Sequence, residues 1–195
     1  MSELVLASTS PYRRVLLDRL GIPYRVLAPN VDERALASGN APDMTLALAR
    51  AKADAGALMA PAAYVLGSDQ AIEIDGDILG KPETPERALA QLERLNGREH
   101  RVVTAVVLRH PDGQSGVHVD VHHMRMRSLS RSSLAAYVAA DMPLDCAGAY
   151  KIEGRGFMLF ETMAGGDYTA VIGLPLLAGV TLLTGAGFDL LGGKS

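Results

Sequence analysis

Residues 3–28, ELVLASTSPYRRVLLDRLGIPYRVLA, decide the fold class. The apolar run Glu3–Ala7 predicts a buried strand, because every position but the first lacks a polar side chain. Ser10 then stands at a helix N-cap, with Pro11 at the first helical position, where its missing N–H costs nothing. Val15, Leu16, Leu17 and Leu20 supply an apolar stripe, and Gly21 supplies the stop. Residues 24–28, YRVLA, form a second short strand. Strand, helix and strand in so short a stretch predict an α/β fold.

Working outward, residues 42–60 are alanine-rich and predict a helix. Residues 64–82, YVLGSDQAIEIDGDILGKP, predict two strands joined at Asp75 and Gly76. Residues 84–97 predict a helix with Thr84 as cap, Pro85 at its first position and Gly97 at its end. Residues 100–113 and 115–128 predict two long strands, and residues 130–141 a short helix. From Cys146 onward glycine becomes dense, as where a backbone turns tightly or approaches a ligand. Neither a repeat nor a linker divides the chain, so one domain over 1–195 is expected.

The chain has 195 residues, of which 48% are apolar and 21% charged, a globular composition with enough length for a core. Its net charge of −3 and pI near 5.9 argue against a nucleic-acid-coating protein, which needs a broad basic face. The single cysteine excludes an internal disulfide and fits a reducing compartment. No apolar stretch reaches the roughly 20 residues of a membrane span, and the N-terminus lacks the basic-then-apolar order of a signal peptide. The expectation is a soluble cytoplasmic protein with neither a membrane nor a nucleic-acid partner.

Two phosphate-binding look-alikes fail. Residues 76–82, GDILGKP, are one residue short of a P-loop, and Pro82 stands where a metal-binding Ser or Thr belongs. GAGFDL, residues 185–190, lacks the last glycine of a dinucleotide fingerprint. His118, Asp120 and His122 alternate along one strand face and could bind a transition metal, but a solvated strand face gives the same pattern and is the preferred reading. Cys146 reads as a small buried thiol, not a nucleophile.

Residues 8–14, STSPYRR, carry more. A strand running into a helix N-terminus presents free N–H groups to an anion, and Arg13 and Arg14 add forked donors suited to phosphate oxygens. On residue types alone, an anion cradle and a capped surface helix stand at even weight. Elsewhere Asp32 and Glu33 follow the second strand, Asp69 and Gln70 follow Gly67, and Lys52 and Lys81 add positive charge. Carboxylates from separate segments suit a Mg²⁺ ion shared with substrate phosphates. Lysines can neutralise charge developing on phosphoryl oxygens.

Taken in order, LVLASTSPYRR, GIPYRVLAPNVDE, LARAKA, GSDQ, GKP, CAGAYKIEG and VIGLPL resemble the Maf family of nucleotide pyrophosphatases, and within it the YceF-type subfamily. The resemblance spans nearly the whole chain. It implies a mixed α/β fold with an elongated twisted sheet flanked by helices, two lobes around a central cleft, and a homodimer. It also implies hydrolysis of a nucleoside triphosphate to monophosphate and diphosphate with a divalent cation, Mg²⁺ or Mn²⁺. Asp69 falls on the family's proton acceptor and Glu33 on the acidic position near the metal. Ser8, Arg13, Arg14, Lys52 and Lys81 fall on its phosphate-handling positions. Tyr12, Gln70 and Glu153 resemble the 7-methyl-GTP branch, not the dTTP and UTP branch, with Tyr12 where Trp is frequent. A cationic methylated guanine suits an aromatic face, and the Glu153 carboxylate can accept from N1–H and the N2 amino group. The alternatives are the same reaction on dTTP, UTP or another modified nucleotide, and a non-enzymatic inhibitor of septum formation.

Overall fold

The computed structural model describes residues 2–36 and 39–192. The chain groups into two compact units, one of Met1–Gln70, Thr104–Asp120 and Asp167–Ser195, the other of Ala71–Val103 and Val121–Gly166. Seven strands make one mixed sheet in the order β2-β1-β3-β5-β6-β7, with β4 paired to β3. The three longest strands are β3 (Tyr64–Ile74), β5 (Glu99–Arg109) and β6 (Ser115–Met126). The mixture is explicit in the pairing: β1 is parallel to β2 and β3, whereas β3–β4 and β6–β7 are antiparallel.

In the first unit, β1 (Leu4–Ala7) is buried at every position between β2 (Arg25–Leu27) and β3. A strand with neighbours on both edges and helices on both faces must be apolar throughout, which is what the opening run supplies. Leu4 and Leu6 join Leu16 and Leu17 of α1 (Pro11–Asp18) and Leu183 of α6 (Leu176–Gly185). The alternate residues Val5 and Ala7 meet Ala60, Ala63 and Val65. Ala49 and Ala53 of α2 (Ala41–Met59) pack on Ala105 and Val107 of β5.

The expected cap holds: Ser10 accepts from the Arg13 N–H, with Pro11 opening α1. The expected apolar stripe is too wide, because Val15 is 59% exposed. Each helical residue turns the side chain by about 100°. With Leu16 and Leu17 facing the core, Val15 is rotated out.

In the second unit, β3 turns through Asp75 and Gly76 into β4 (Asp77–Leu79), with φ of 54° and 82° at the two turn residues. Positive φ at both central positions is the hairpin turn that matches strand twist. Thr84 caps α3 (Pro85–Leu95) and Ser130 caps α4 (Arg131–Asp141). The glycine-dense stretch from Cys146 onward, read as tight turns or a close approach to a ligand, holds β7 (Phe160–Ala164), α5 (Tyr168–Ile172) and α6, with short 3₁₀ turns at Ala147–Ala149 and Arg155–Leu159. Among the described residues, no helix is long and apolar enough to cross a membrane.

Candidate active site

In the first unit three charges meet at one nitrogen. The Lys52 Nζ lies 2.5 Å from Asp69 Oδ1 and 2.7 Å from Glu33 Oε1. Lys52 and Asp69 are nearly enclosed, their side chains 10% and 11% exposed, whereas Glu33 is 59% exposed. Local sequence explains the meeting. A side-chain carbon on Gly67 would collide with the α2 backbone at Ala49 and Ala53, so only glycine lets β3 and α2 approach this closely. Ala49 and Ala53 bracket Lys52, and Asp69 lies two residues beyond Gly67. The close approach therefore delivers the ammonium to the carboxylate. On the other side, Asp32 Oδ1 accepts from the Ala35 N–H and shapes the turn that carries Glu33.

The first turn of α1 adds a cation to the same unit. Arg13 Nε donates to the Gly173 carbonyl at 2.8 Å, and Nη1 donates to Ser8 Oγ at 3.3 Å. Ser8 is buried and also accepts from the Ser10 N–H. Burial pulls the Arg13 guanidinium below its usual value, while the negative charges of Asp69 and Glu33 push it back up. That mutual influence joins Arg13 electrostatically to the Lys52 cluster. Arg14 is exposed and Tyr12 half-buried on the same helix.

Gln70 is committed to the fold as well as to the site. Its Nε2 donates toward Thr104 Oγ1, Ala170 O and Val171 O at 3.2, 2.8 and 3.0 Å. The sequence reading missed the supports of this cluster. Ser68 Oγ is buried between the Ala105 and Gly173 carbonyls, so Gly173 serves both Ser68 and Arg13. Gly173 has φ of +133°, a conformation that side chains rarely adopt. Its place in a glycine-dense segment was the available signal.

Two expected site residues belong to the second unit. Lys81 is exposed, two residues after β4. Glu153 is exposed in the turn between Tyr150 and the 3₁₀ turn at Arg155. Residual desolvation, with Asp145 and Asp141 nearby, holds its carboxyl above the usual range; a backbone hydrogen bond and the charge of Lys151 oppose this. An apolar groove lined by Leu89, Val138 and Met142, between α3 and α4, contains none of the expected site residues.

Two readings change. The strand face of His118, Asp120 and His122 is solvated only at His118, which is exposed; Asp120 and His122 are buried, at 8% and 3% exposure. Gly165 lies so close over the His122 ring that a side-chain carbon there would overlap it. Cys146 is half-buried instead of enclosed, its thiol 3.6 Å from Asp145 Oδ1. Among the described residues, no group of three His, Cys, Asp or Glu side chains could hold a metal by itself. Glu33 and Asp69 do aim carboxylate oxygens at one point that already accommodates a cation. Two carboxylates, with phosphate oxygens and water completing the shell, are a donor set that fits Mg²⁺ or Mn²⁺.

The chain matches the Maf-like protein family over residues 3–186. A 7-methyl-GTP pyrophosphatase of Xanthomonas campestris pv. campestris (strain 8004) is 45% identical over 190 residues, spanning 97% of this chain and 99% of that protein. A 7-methyl-GTP pyrophosphatase of Pseudomonas aeruginosa (PAO1) is 41% identical over 194 residues, spanning 97% and 100%. Among solved structures, the Staphylococcus aureus Ham1 protein superposes at a TM-score of 0.48 with 17% identity, covering 64% of this chain and 72% of that one, too loose a match to say more. A family match over nearly the full length, with relatives above 40% identity, makes this chain a member of the Maf-like protein family.

Proposed function

We propose that this chain hydrolyses the α–β phosphoanhydride of a nucleoside triphosphate, and that 7-methyl-GTP is its substrate. The observation that carries the reading is the meeting of Asp69, Lys52 and Glu33, beside a half-buried Arg13, in a chain whose relatives carry that activity in their names. Asp69 takes a proton from the attacking water as the water oxygen bonds to the α-phosphorus. The bond from that phosphorus to the bridging oxygen breaks, and its electron pair leaves with diphosphate. Nearly enclosed, Asp69 is shielded from bulk water, and Lys52 fixes the direction of its carboxylate. Ser8, Arg13, Arg14 and Lys81 are assigned to phosphate oxygens. Arg13 is well suited, because Gly173 and Ser8 already hold one edge of its fork while its charge persists at any working pH.

Glu33 and Asp69 would hold the divalent cation, which when bound neutralises phosphate charge and makes bound water more acidic. Base choice is assigned to Tyr12, Gln70 and Glu153. The Glu153 carboxylate has the acceptor pair for guanine N1–H and N2 amino donors. The Tyr12 ring face suits the positive charge that N7 methylation places on the base.

A panel of 7-methyl-GTP, GTP, UTP and dTTP with Mg²⁺ or Mn²⁺ tests this. The expected products are diphosphate and the monophosphate, with the highest kcat/KM for 7-methyl-GTP. Orthophosphate as first product would overturn the reaction. Faster turnover of UTP or dTTP would overturn the base assignment alone.

A further inference from the structure

Glu153 has no regular element beneath it, so something else must fix its place. Helix α4 does so from both sides. Two residues before Glu153, the Lys151 N–H donates to the Tyr137 phenol oxygen at 2.9 Å. Two residues after it, the Arg155 N–H donates to Asp141 Oδ2 at 2.9 Å. Tyr137 and Asp141 are four residues apart, on one face of α4.

The turn closes on itself between these anchors. The Gly154 and Gly156 N–H groups both donate to the Lys151 carbonyl, at 3.1 and 2.9 Å. Gly156 packs so closely on the Lys151 backbone that a side-chain carbon would overlap it.

Both anchors are themselves constrained. Tyr137 is 8% exposed, and burial raises its phenol far above the usual range, so it stays a neutral hydroxyl. The Asp141 side chain is 11% exposed, and its other oxygen lies 3.9 Å from Arg155 Nε. A rigid side chain aimed at each flank of a five-residue turn fixes the backbone in the middle, and with it the origin of the Glu153 side chain.

We propose that Tyr137 and Asp141 are positioning residues for base selection: they hold the Lys151–Arg155 turn so that the Glu153 carboxylate meets the edge of the base. The inference rests on Glu153 being the base-reading residue proposed above. A carboxylate that accepts two hydrogen bonds at once tolerates little misplacement, since an error near 1 Å breaks one of the pair. The phosphate chemistry, assigned to other residues, tolerates the same error. Loosening the turn therefore costs selectivity before it costs turnover.

The test is steady-state kinetics with 7-methyl-GTP and UTP for Tyr137→Phe, Asp141→Ala, Asp141→Asn and Glu153→Gln. Tyr137→Phe keeps the buried ring and removes only the acceptor, and Asp141→Asn keeps an oxygen facing the Arg155 N–H. Losing one backbone anchor should lower the kcat/KM preference for 7-methyl-GTP about fivefold in Tyr137→Phe and in Asp141→Ala. The loss should lie in KM for 7-methyl-GTP, with kcat on UTP unchanged and Asp141→Asn restoring most of the preference. If Glu153→Gln collapses the preference while Tyr137→Phe and Asp141→Ala leave it intact, the positioning role is overturned and the Glu153 reading stands. If Glu153→Gln leaves the preference intact, the Glu153 reading falls and takes the positioning role with it. Equal losses on both substrates would reduce the two side chains to scaffold and also overturn the proposal.

Discussion

In the first unit, Lys52 meets Asp69 at 2.5 Å and Glu33 at 2.7 Å, charge directly on charge, and Arg13 is gripped through its own guanidinium by Gly173 and Ser8. In the second, the Glu153 side chain is exposed, and the protein grips the backbone on either side of it. Lys52, Asp69 and Arg13, assigned to the reaction, are fixed at the functional atoms themselves, where preorganisation lowers a barrier. The group assigned to the base is fixed only at its root, leaving its carboxylate to be completed by the ligand. The contrast teaches what each region can afford to lose. A substitution in the first removes charge compensation and chemistry together, whereas one in the second removes precision.

The most severe way to break the contrast is Asp69→Asn. The amide keeps the shape and an oxygen for Lys52 but cannot take a proton, so kcat should fall roughly 10²- to 10⁴-fold with the far-UV spectrum unchanged. Diphosphate release measures it, and a variant retaining more than a tenth of the wild-type rate would remove Asp69 from the role of base. Next comes Lys52→Met, which leaves a nearly buried Asp69 facing Glu33 without a cation. Breaking a buried pair this way costs roughly 3–5 kcal/mol, toward the lower end because Glu33 is largely exposed. Urea unfolding at pH 7 measures the loss. Millimolar Mg²⁺ should return part of it in the variant and stabilise the wild type by less, since in the variant the two carboxylates bind the ion without competition from the ammonium. A variant that gains no more from Mg²⁺ than the wild type does would show that the ion does not compete with Lys52 for Glu33 and Asp69.

The same contrast explains what was legible in the sequence. α1 could be read because its signals are adjacent: Ser10 caps, Pro11 opens, and Leu16 and Leu17 follow at once. The hairpin at Asp75 and Gly76 was legible for the same reason, since two neighbouring residues carry the whole turn. The Lys52–Asp69 pair spans 17 residues and forms only because Gly67 admits α2, a long-range event that periodicity does not encode. Composition left the phosphate cradle at even weight, and the order of motifs over the whole chain supplied the rest. In the last third the local signals run out. α6 is apolar on most sides, LLAGVTLLTG, and so has no helical period. β7 is exposed at four of its five positions and so has no strand period. Tyr137 and Asp141 looked like ordinary helix residues, because their role is defined by a turn that follows them in the chain.

The smallest effect is the one that acid should have on the second unit, and it sets that unit's aromatic core against the ionic cluster of the first. His100 is 3% exposed, its Nε2 lies 3.1 Å from the Tyr150 phenol oxygen, and its ring tilts against Tyr150 and Phe160 with centroids 5.8 Å apart. Its Nδ1 is buried with no hydrogen-bond partner among the described residues, so a second proton would go onto an atom that nothing receives. Burial accordingly pulls the imidazole from its usual 6.5 down to about 4. Between those two values the unfolded chain binds a proton that the folded chain refuses, so folding stability must rise with pH across that window. The contribution is fully present above about pH 6.5 and is lost as pH falls toward 4, by at most about 3 kcal/mol. Urea unfolding at pH 7.5, 5.5 and 4.5 should show this loss in the wild type. In His100→Phe, which cannot be protonated, the stability gap to wild type should narrow as the pH falls. A gap that stays constant would assign the acid response to carboxylates elsewhere. Because Tyr150 adjoins Lys151, protonation of His100 should also lower amide protection in the Lys151–Arg155 turn before it does so around Asp69, tying the acid response to the region held by its backbone.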